Sequence, residues 1–335
     1  MSSISSLTEL FEGLSGLRAL IVGDVMIDSY IWGRVERISP EAPVPVVTVT
    51  RREKRLGGAA NVALNVQALG ATPVLCTLVG DDPEGQNFRE LLQKRGLTEE
   101  GVYMSPDRPT TTKERVLSGS QQMIRVDHES TTPLNQVERE ALMSRATKLI
   151  STCDVVIFED YDKGCLDEGI IGDIVSVAKE HGIPTVVDPK KKNFMAYRGV
   201  SLFKPNLKEL KEGLKIDFDH GDRQKLGDAI TLLSQKLDAE HTLVTLSEKG
   251  VAIYHRDTGL HFMPAHVRDI SDVSGAGDTV VSIAALALAL GLPVRMIAGL
   301  SNLGGGLVCE HLGVVPIDKS RLFEEARRCK LHEEL

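Results

Sequence analysis

Short apolar runs recur along the chain at 18–23, 74–79, 154–158, 184–188, 201–203 and 241–246. Each reads as a buried strand. Segments with helical spacing of apolar positions lie between many of them, at 58–69, 84–95, 136–150, 167–181, 207–213 and 222–238. Strands alternating with helices of this length predict an α/β fold of βαβ units, with a mostly parallel sheet covered by helices on both faces. In such sheets ligands bind at the carboxyl ends of the strands, so the residues just after each run carry the most weight.

Two stretches break the alternation. Residues 30–54 carry three prolines and a β-rich segment from Val44 to Thr50. Residues 109–127 alternate polar and apolar positions around Ser118-Gly119-Ser120, the pattern of a hairpin. Neither fits a βαβ unit, and both are expected in a small β lid over one end of the main sheet. The apolar stretch 280–292 is too short and too rich in alanine to span a bilayer and predicts a buried helix. Residues 318–335 read as a charged surface helix. No repeat or linker divides the chain, so residues 1–335 are expected to form one domain.

Composition narrows the class. With 42% hydrophobic and 26% charged residues the balance is that of a soluble globular enzyme. The net charge of −8 argues against a nucleic-acid partner, which would require a basic surplus. Cys76, Cys153, Cys165, Cys309 and Cys329 are odd in number and widely spaced, and they read as free thiols in a reducing compartment. The N-terminus has no basic region leading into an apolar run, so it is not read as a signal peptide. A cytoplasmic protein with no membrane partner is expected.

The segment 272–290, DVSGAGDTVVSIAALALAL, carries the strongest chemistry. Ser274-Gly275-Ala276-Gly277 is a turn of small residues running into a long apolar helix. Such a turn leaves backbone N–H groups unpaired at the positive end of the helix and makes an anion hole. Asp278 falls in the first helical turn, facing that hole. A carboxylate there can take a proton from an attacking hydroxyl while the amides of Gly275, Ala276 and Gly277 steady a phosphoryl group. Asp272 is placed to order the turn. Taken alone, the same segment equally suits a helix-favouring acid after an ordinary glycine turn.

DVSGAGD resembles the second signature of the ribokinase (PfkB) family of carbohydrate kinases. The first signature is matched by Leu56-Gly57-Gly58-Ala59-Ala60-Asn61-Val62-Ala63. The resemblance runs from about residue 18 to 317 and implies a ribokinase-like three-layer fold and an ATP-dependent kinase. It implies sugar contacts from Gly57, Gly58, Asn61 and Asp28. Asn61 offers both a donor and an acceptor. Met26 stands where the ribokinase branch has asparagine, so the hydroxyl contacts differ there. Lys204-Pro205-Asn206-Leu207-Lys208-Glu209 resembles the family's N-x-x-E motif and implies Asn206 and Glu209 near Mg²⁺, through water, and near the phosphates. Thr245, Ser247 and Gly250 match the nucleotide-side loop, with Ser247 in place of a frequent glycine, and Asn302 matches a position by the adenine.

Four further runs look like the heptose-7-phosphate kinase branch of the family. They are 38–46 (ISPEAPVPV), 111–115 (TTKER), Gln121-Gln122 with Arg125-Val126-Asp127, and 160–164 (DYDKG). That branch phosphorylates O1 of D-glycero-β-D-manno-heptose 7-phosphate on the way to the ADP-heptose of lipopolysaccharide. Many of its members are fused to an adenylyltransferase. This sequence stops at Leu335 with no H-x-G-H motif, so a stand-alone kinase is expected, with a separate protein activating the product. The branch implies Asp160 at the sugar and Lys113, Arg115, Lys163 and Lys190 at a phosphorylated substrate. Each lysine alone reads more readily as a solvated surface charge, and it is the four cations placed together by the family pattern that favour the phosphate.

None of the nine histidines shows metal spacing, and no GxxxxGK[ST] loop is present. Tyr30 and Trp32 could stack on sugar or pack the lid. Two other functions remain open: a kinase of the same fold for another sugar or sugar phosphate, and a sugar-phosphate sensor without chemistry. A dehydrogenase is disfavoured because no G-x-G-x-x-G follows the first strand. The exposed strand edges of the lid would allow a homodimer.

Overall fold

The computed structural model describes residues 4–119, 121–219, 221–266 and 268–334. Ser120, expected in the lid hairpin, and His220 lie outside them.

The apolar runs form the strands they predict. β1 (Arg18–Gly23), β4 (Thr72–Gly80), β8 (Val155–Glu159), β9 (Thr185–Asp188), β10 (Leu202–Phe203) and β11 (His241–Thr245) build the parallel centre of a sheet, almost every residue buried. β5 (Val102–Ser105) adds one parallel edge. The hairpin of β12 (Val251–His255) and β13 (Gly259–Met263) adds the other, antiparallel. The order is β13-β12-β11-β10-β9-β8-β1-β4-β5. Strands buried on both faces need helices on both, and two apolar layers result. One holds α1 (Leu7–Gly13), α2 (Ala59–Ala68), α3 (Pro83–Lys94), α8 (Ala276–Ala289), α9 (Val294–Val308) and α10 (Lys319–Arg328). The other holds α4 (Gln136–Ile150), α5 (Glu168–Glu180), α6 (Leu207–Leu214) and α7 (Arg223–Leu237).

The lid is a second sheet, and it is larger than the sequence pattern suggests. β2 (Val25–Ile38), β3 (Pro45–Gly58), β6 (Thr112–Ser118) and β7 (Gln121–His128) pair in the order β3-β2-β6-β7. β2 pairs antiparallel with β3 and parallel with β6. The first two lid strands therefore begin at Val25, directly after β1, and end at Gly58, directly before α2. Asp24 is the single residue between β1 of the main sheet and β2 of the lid. Tyr30 and Trp32 stack on one another on one face of β2, with ring centroids 5.4 Å apart. Arg51 lies over Trp32, and Arg55 and Arg115 lie over Tyr30, so these rings pack within the lid.

The carboxyl-terminal segment corrects its expectation in part. Among its described residues only Lys319–Arg328 is α-helical, and it buries Leu322 and Ala326 against the main body. No helix among the described residues is long and apolar enough to cross a membrane.

Candidate active site

The carboxyl ends of neighbouring strands meet in register: Gly23 of β1 sits beside Glu159 of β8, and Glu159 beside Asp188 of β9. Lys204 follows β10. α8 starts over this edge. Gly275 caps it at φ +79, a left-handed turn suited to glycine, and the helix begins at Ala276. The first-turn N–H groups have no carbonyl partner within the helix, and Asp278 sits among them.

Asp278 is buried, and both its oxygens are engaged. Asn61, in the first turn of α2, donates to Oδ2 at 2.5 Å, and the Tyr161 hydroxyl donates to Oδ1 at 3.1 Å. Burial pushes the carboxyl up to about 6. The Asn61 bond, the Tyr161 bond and the Lys204 charge oppose that rise, and the Asp188 charge adds to it. Glu159, Asp188 and Asp278 each place one oxygen within 4.8 Å of the others. Lys204 supplies a buried counter-charge, 3.0 Å from Asp188 Oδ2. Neither oxygen of Glu159 has a hydrogen-bond partner, and burial, then the Asp188 and Asp278 charges, raise it well above the ordinary carboxylate range.

Gly57 and Gly58 end β3 at this same place. Gly58 has φ +59, and a side chain there would collide with the Asp24 carbonyl. Gly57 lets the Asp28 carboxylate lie against the backbone, where a Cβ would clash with it. Asp28 in turn accepts from Arg115 at 2.5 Å. The expected cations are likewise paired with acids. Lys113 reaches Asp127 at 3.2 Å and Glu129 at 3.3 Å, and Lys163 reaches the other oxygen of Glu129 at 2.8 Å. Lys190 lies 3.5 Å from Glu209 and 5.0 Å above the Tyr161 ring. Burial alone would lower its pKa, but Asp188, Glu209, Glu159 and Asp278 outweigh burial and raise it.

Asp160 departs from its expected role. It is fully buried, and its oxygens accept from the Asp162 N–H, Asn193 and Tyr197. It braces the 160–164 loop and offers no free edge to a sugar.

Asn206 and Glu209 form a capping box at the start of α6. Each side chain accepts from the other's backbone N–H. Glu209 keeps Oε1 outside the box, toward Lys190, which leaves an oxygen donor of the kind Mg²⁺ takes. Asn206 also bridges to Thr245, linking the box to the neighbouring loop. In that loop Ser247 adopts φ +53, which explains why glycine is frequent there. Gly250 lies against the backbone of 263–265, and Asn302 of α9 donates to the Pro264 carbonyl at 2.8 Å. Gly250 and Asn302, two of the four expected nucleotide-side residues, thus meet at one stretch of chain.

Glu159, Tyr161, Asp188, Lys204 and Glu129 were not singled out from sequence. The first four share one legible signal: a polar residue at or just beyond the carboxyl end of a buried run.

This arrangement can take a proton from a hydroxyl beside an anion-binding helix end. Residues 17–320 match the model of the pfkB family carbohydrate kinases. The chain belongs to that family. It is an ATP-dependent carbohydrate kinase by membership. The bifunctional protein HldE of Syntrophotalea carbinolica is 38% identical over 320 residues, covering 96% of this chain and 65% of that one. HldE of Wolinella succinogenes is 40% identical over 294 residues, covering 88% and 61%. This kinase therefore spans slightly less than two thirds of the length of those relatives. Two solved structures share its fold. Phosphofructokinase-2 from Escherichia coli in complex with fructose-6-phosphate has a TM-score of 0.76 at 18% identity, covering 93% of this chain and 100% of that one. Arabidopsis thaliana ribokinase complexed with ribose and ATP has 0.72 at 16%, covering 92% and 99%.

Proposed function

We propose that this kinase transfers the γ-phosphoryl group of ATP to O1 of D-glycero-β-D-manno-heptose 7-phosphate, giving the 1,7-bisphosphate. The observation that carries the chemistry is Asp278: a buried carboxylate at the start of α8, fixed by one residue from each of two other segments. In the step, the O1 oxygen attacks the γ-phosphorus and its proton passes to Asp278. The new O–P bond forms as the bond to the bridging oxygen breaks, and that electron pair leaves with ADP. The amides of Gly275, Ala276 and Gly277 steady the charge on the moving group. With a carboxyl raised to about 6, Asp278 is mostly ionised at pH 7 yet basic enough to hold the proton briefly.

The sugar would lie against Asp28, Gly57, Gly58 and Asn61. Support for a phosphorylated sugar comes from Lys113 and Lys163, which reach the same carboxylate from the lid and from the main body. Two cations that converge on one anion can converge on another, and a phosphate offers more acceptor oxygens. Arg115 and Lys190 would add to that charge. The nucleotide would lie along Thr245, Ser247, Gly250 and Asn302. Asn206 and Glu209 would hold Mg²⁺ through water, and the ion would neutralise charge on the phosphates. The motif resemblance to the heptose branch and the 36–40% identity to HldE proteins favour this sugar over others. The lid edges β3 and β7, with exposed Val49, Ile124 and Val126, favour a homodimer through the lid.

A substrate panel tests the reading. ATP consumption with magnesium is measured on the heptose 7-phosphate, fructose 6-phosphate, ribose and adenosine. Turnover on the heptose phosphate alone is expected. Preference for another acceptor would overturn the substrate, and no turnover on any would favour a sensor.

A further inference from the structure

The loop after β8 is held far more firmly than a surface loop requires. The buried Asp24 carboxylate accepts the backbone N–H groups of Tyr161 at 2.8 Å, Lys163 at 3.0 Å and Cys165 at 3.0 Å. Asp160 adds bonds from Asp162 N–H at 2.9 Å, Asn193 at 3.0 Å and Tyr197 at 2.7 Å. Two buried carboxylates thus fix the backbone on both sides of Tyr161. Asp24 is itself the residue between β1 and β2, so this loop is set by the same point from which the lid departs.

A buried phenol needs a hydrogen-bond partner, and packing alone could explain that much. Tyr197 shows the packed case: it is fully buried among Phe158 and Phe203, and it bonds the bracing acid Asp160. Tyr161 differs, because its partner is Oδ1 of the catalytic carboxylate. Asn61 holds Oδ2 from the opposite side. With only one donor the carboxylate could turn about its Cβ–Cγ bond. With two, from separate elements, its plane is fixed.

We propose that Tyr161 is a positioning residue of the phosphoryl transfer, whose hydroxyl fixes the Asp278 carboxylate and favours its ionised form. The inference rests on the reading of Asp278 as the base. A donated hydrogen bond stabilises the charged form of a carboxyl more than the neutral one. The charges around the pair are mixed. Asp188 and Glu159, from the ends of β9 and β8, disfavour a further anion. Lys204 after β10 and Lys190 above the ring favour one. Asn61 from α2 completes the set, so the phenol is one of two direct donors working against burial and the neighbouring acids.

The test compares pH–rate profiles of wild type, Tyr161→Phe, a 3-fluorotyrosine replacement at 161, and Asp278→Asn, using ATP and the sugar acceptor found active in the panel. Tyr161→Phe should lower kcat about tenfold or more, the loss typical of one bond to a charged group, with sugar KM nearly unchanged. Its acid limb should move up by up to about one pH unit. The fluorinated phenol is a stronger donor and should move the limb the other way while keeping the fold, so it carries the test even if the phenylalanine variant is unstable. Wild-type limbs in both variants, with Asp278→Asn inactive, would overturn the role of Tyr161 and leave the base in place. Wild-type turnover in Asp278→Asn would overturn both.

Discussion

Asn61 and Asp278 are 217 residues apart in the chain, and Asn61 Nδ2 lies 2.5 Å from Asp278 Oδ2. The bond joins the first turn of α2 to the first turn of α8, and so joins the two signature motifs in one place. It also places the proposed sugar contact and the proposed base within one hydrogen bond of each other. Both partners are buried. Asn61→Ala is therefore expected to cost stability as well as rate. The stability loss should be about 1–3 kcal/mol, because a buried carboxylate is left short of a donor. Chemical denaturation checks it, and a loss below that range would mean water replaces the amide at no cost.

Asp278 also sets a pH dependence of stability. Its carboxyl and that of Asp24 are both raised to about 6 from 3.8, each first by burial. The native state then binds these protons more tightly than the unfolded chain. The stability they contribute is fully present below about pH 4 and is lost as pH rises through 6. Asp278→Asn removes one of the two charges. It should raise Tm at pH 8 by about 1–2 °C, the shift of roughly 1 kcal/mol in a domain of this size, and the gain should vanish toward pH 4. Thermal scans at the two pH values check this, and an equal gain at both would contradict it.

The paired lysines predict a split in substrate constants. Lys163→Met or Lys113→Met should raise KM for the phosphorylated sugar about 10- to 100-fold, the loss of one bond to a charged group. KM for the same sugar without its phosphate should change little. Equal effects on both substrates would remove these residues from phosphate binding and return them to lid closure through Glu129.

Ser247 at φ +53 carries a backbone cost that glycine would not. Ser247→Gly should stabilise the fold by roughly 0.5–1 kcal/mol, the left-handed penalty less the extra entropy of glycine. Equilibrium denaturation measures it, and a net loss would show that the hydroxyl has a role in the loop.

Much of this architecture was legible because buried parallel strands announce themselves as apolar runs. All six runs became strands, and the two signatures located Asp278 and Asn61. What stayed hidden did so for physical reasons. α9 contains Gly304-Gly305-Gly306 behind Pro293, a poor helix on propensity. The glycines serve packing: side chains at 304 and 305 would run into Ile283 and Val280 of α8. The β12–β13 hairpin is short and lies at an edge, and its apolar run is only Val251–Tyr254 with a half-buried partner strand. In the site, Glu159 and Asp188 look like ordinary strand-end acids until the sheet sets them side by side. Asp160 lies inside a motif whose next three members are partly accessible, while it is itself fully buried. Glu129 was invisible, since only the lid's return to the body brings it between Lys113 and Lys163.

The most direct test of the account is the turnover of Asp278→Asn beside wild type, with folding and ATP binding measured on the same samples. An intact fold, ATP affinity within a fewfold of wild type, and phosphoryl transfer slower by about 10²–10⁴ are expected. Transfer at the wild-type rate in that variant would contradict the assignment of Asp278 as the base.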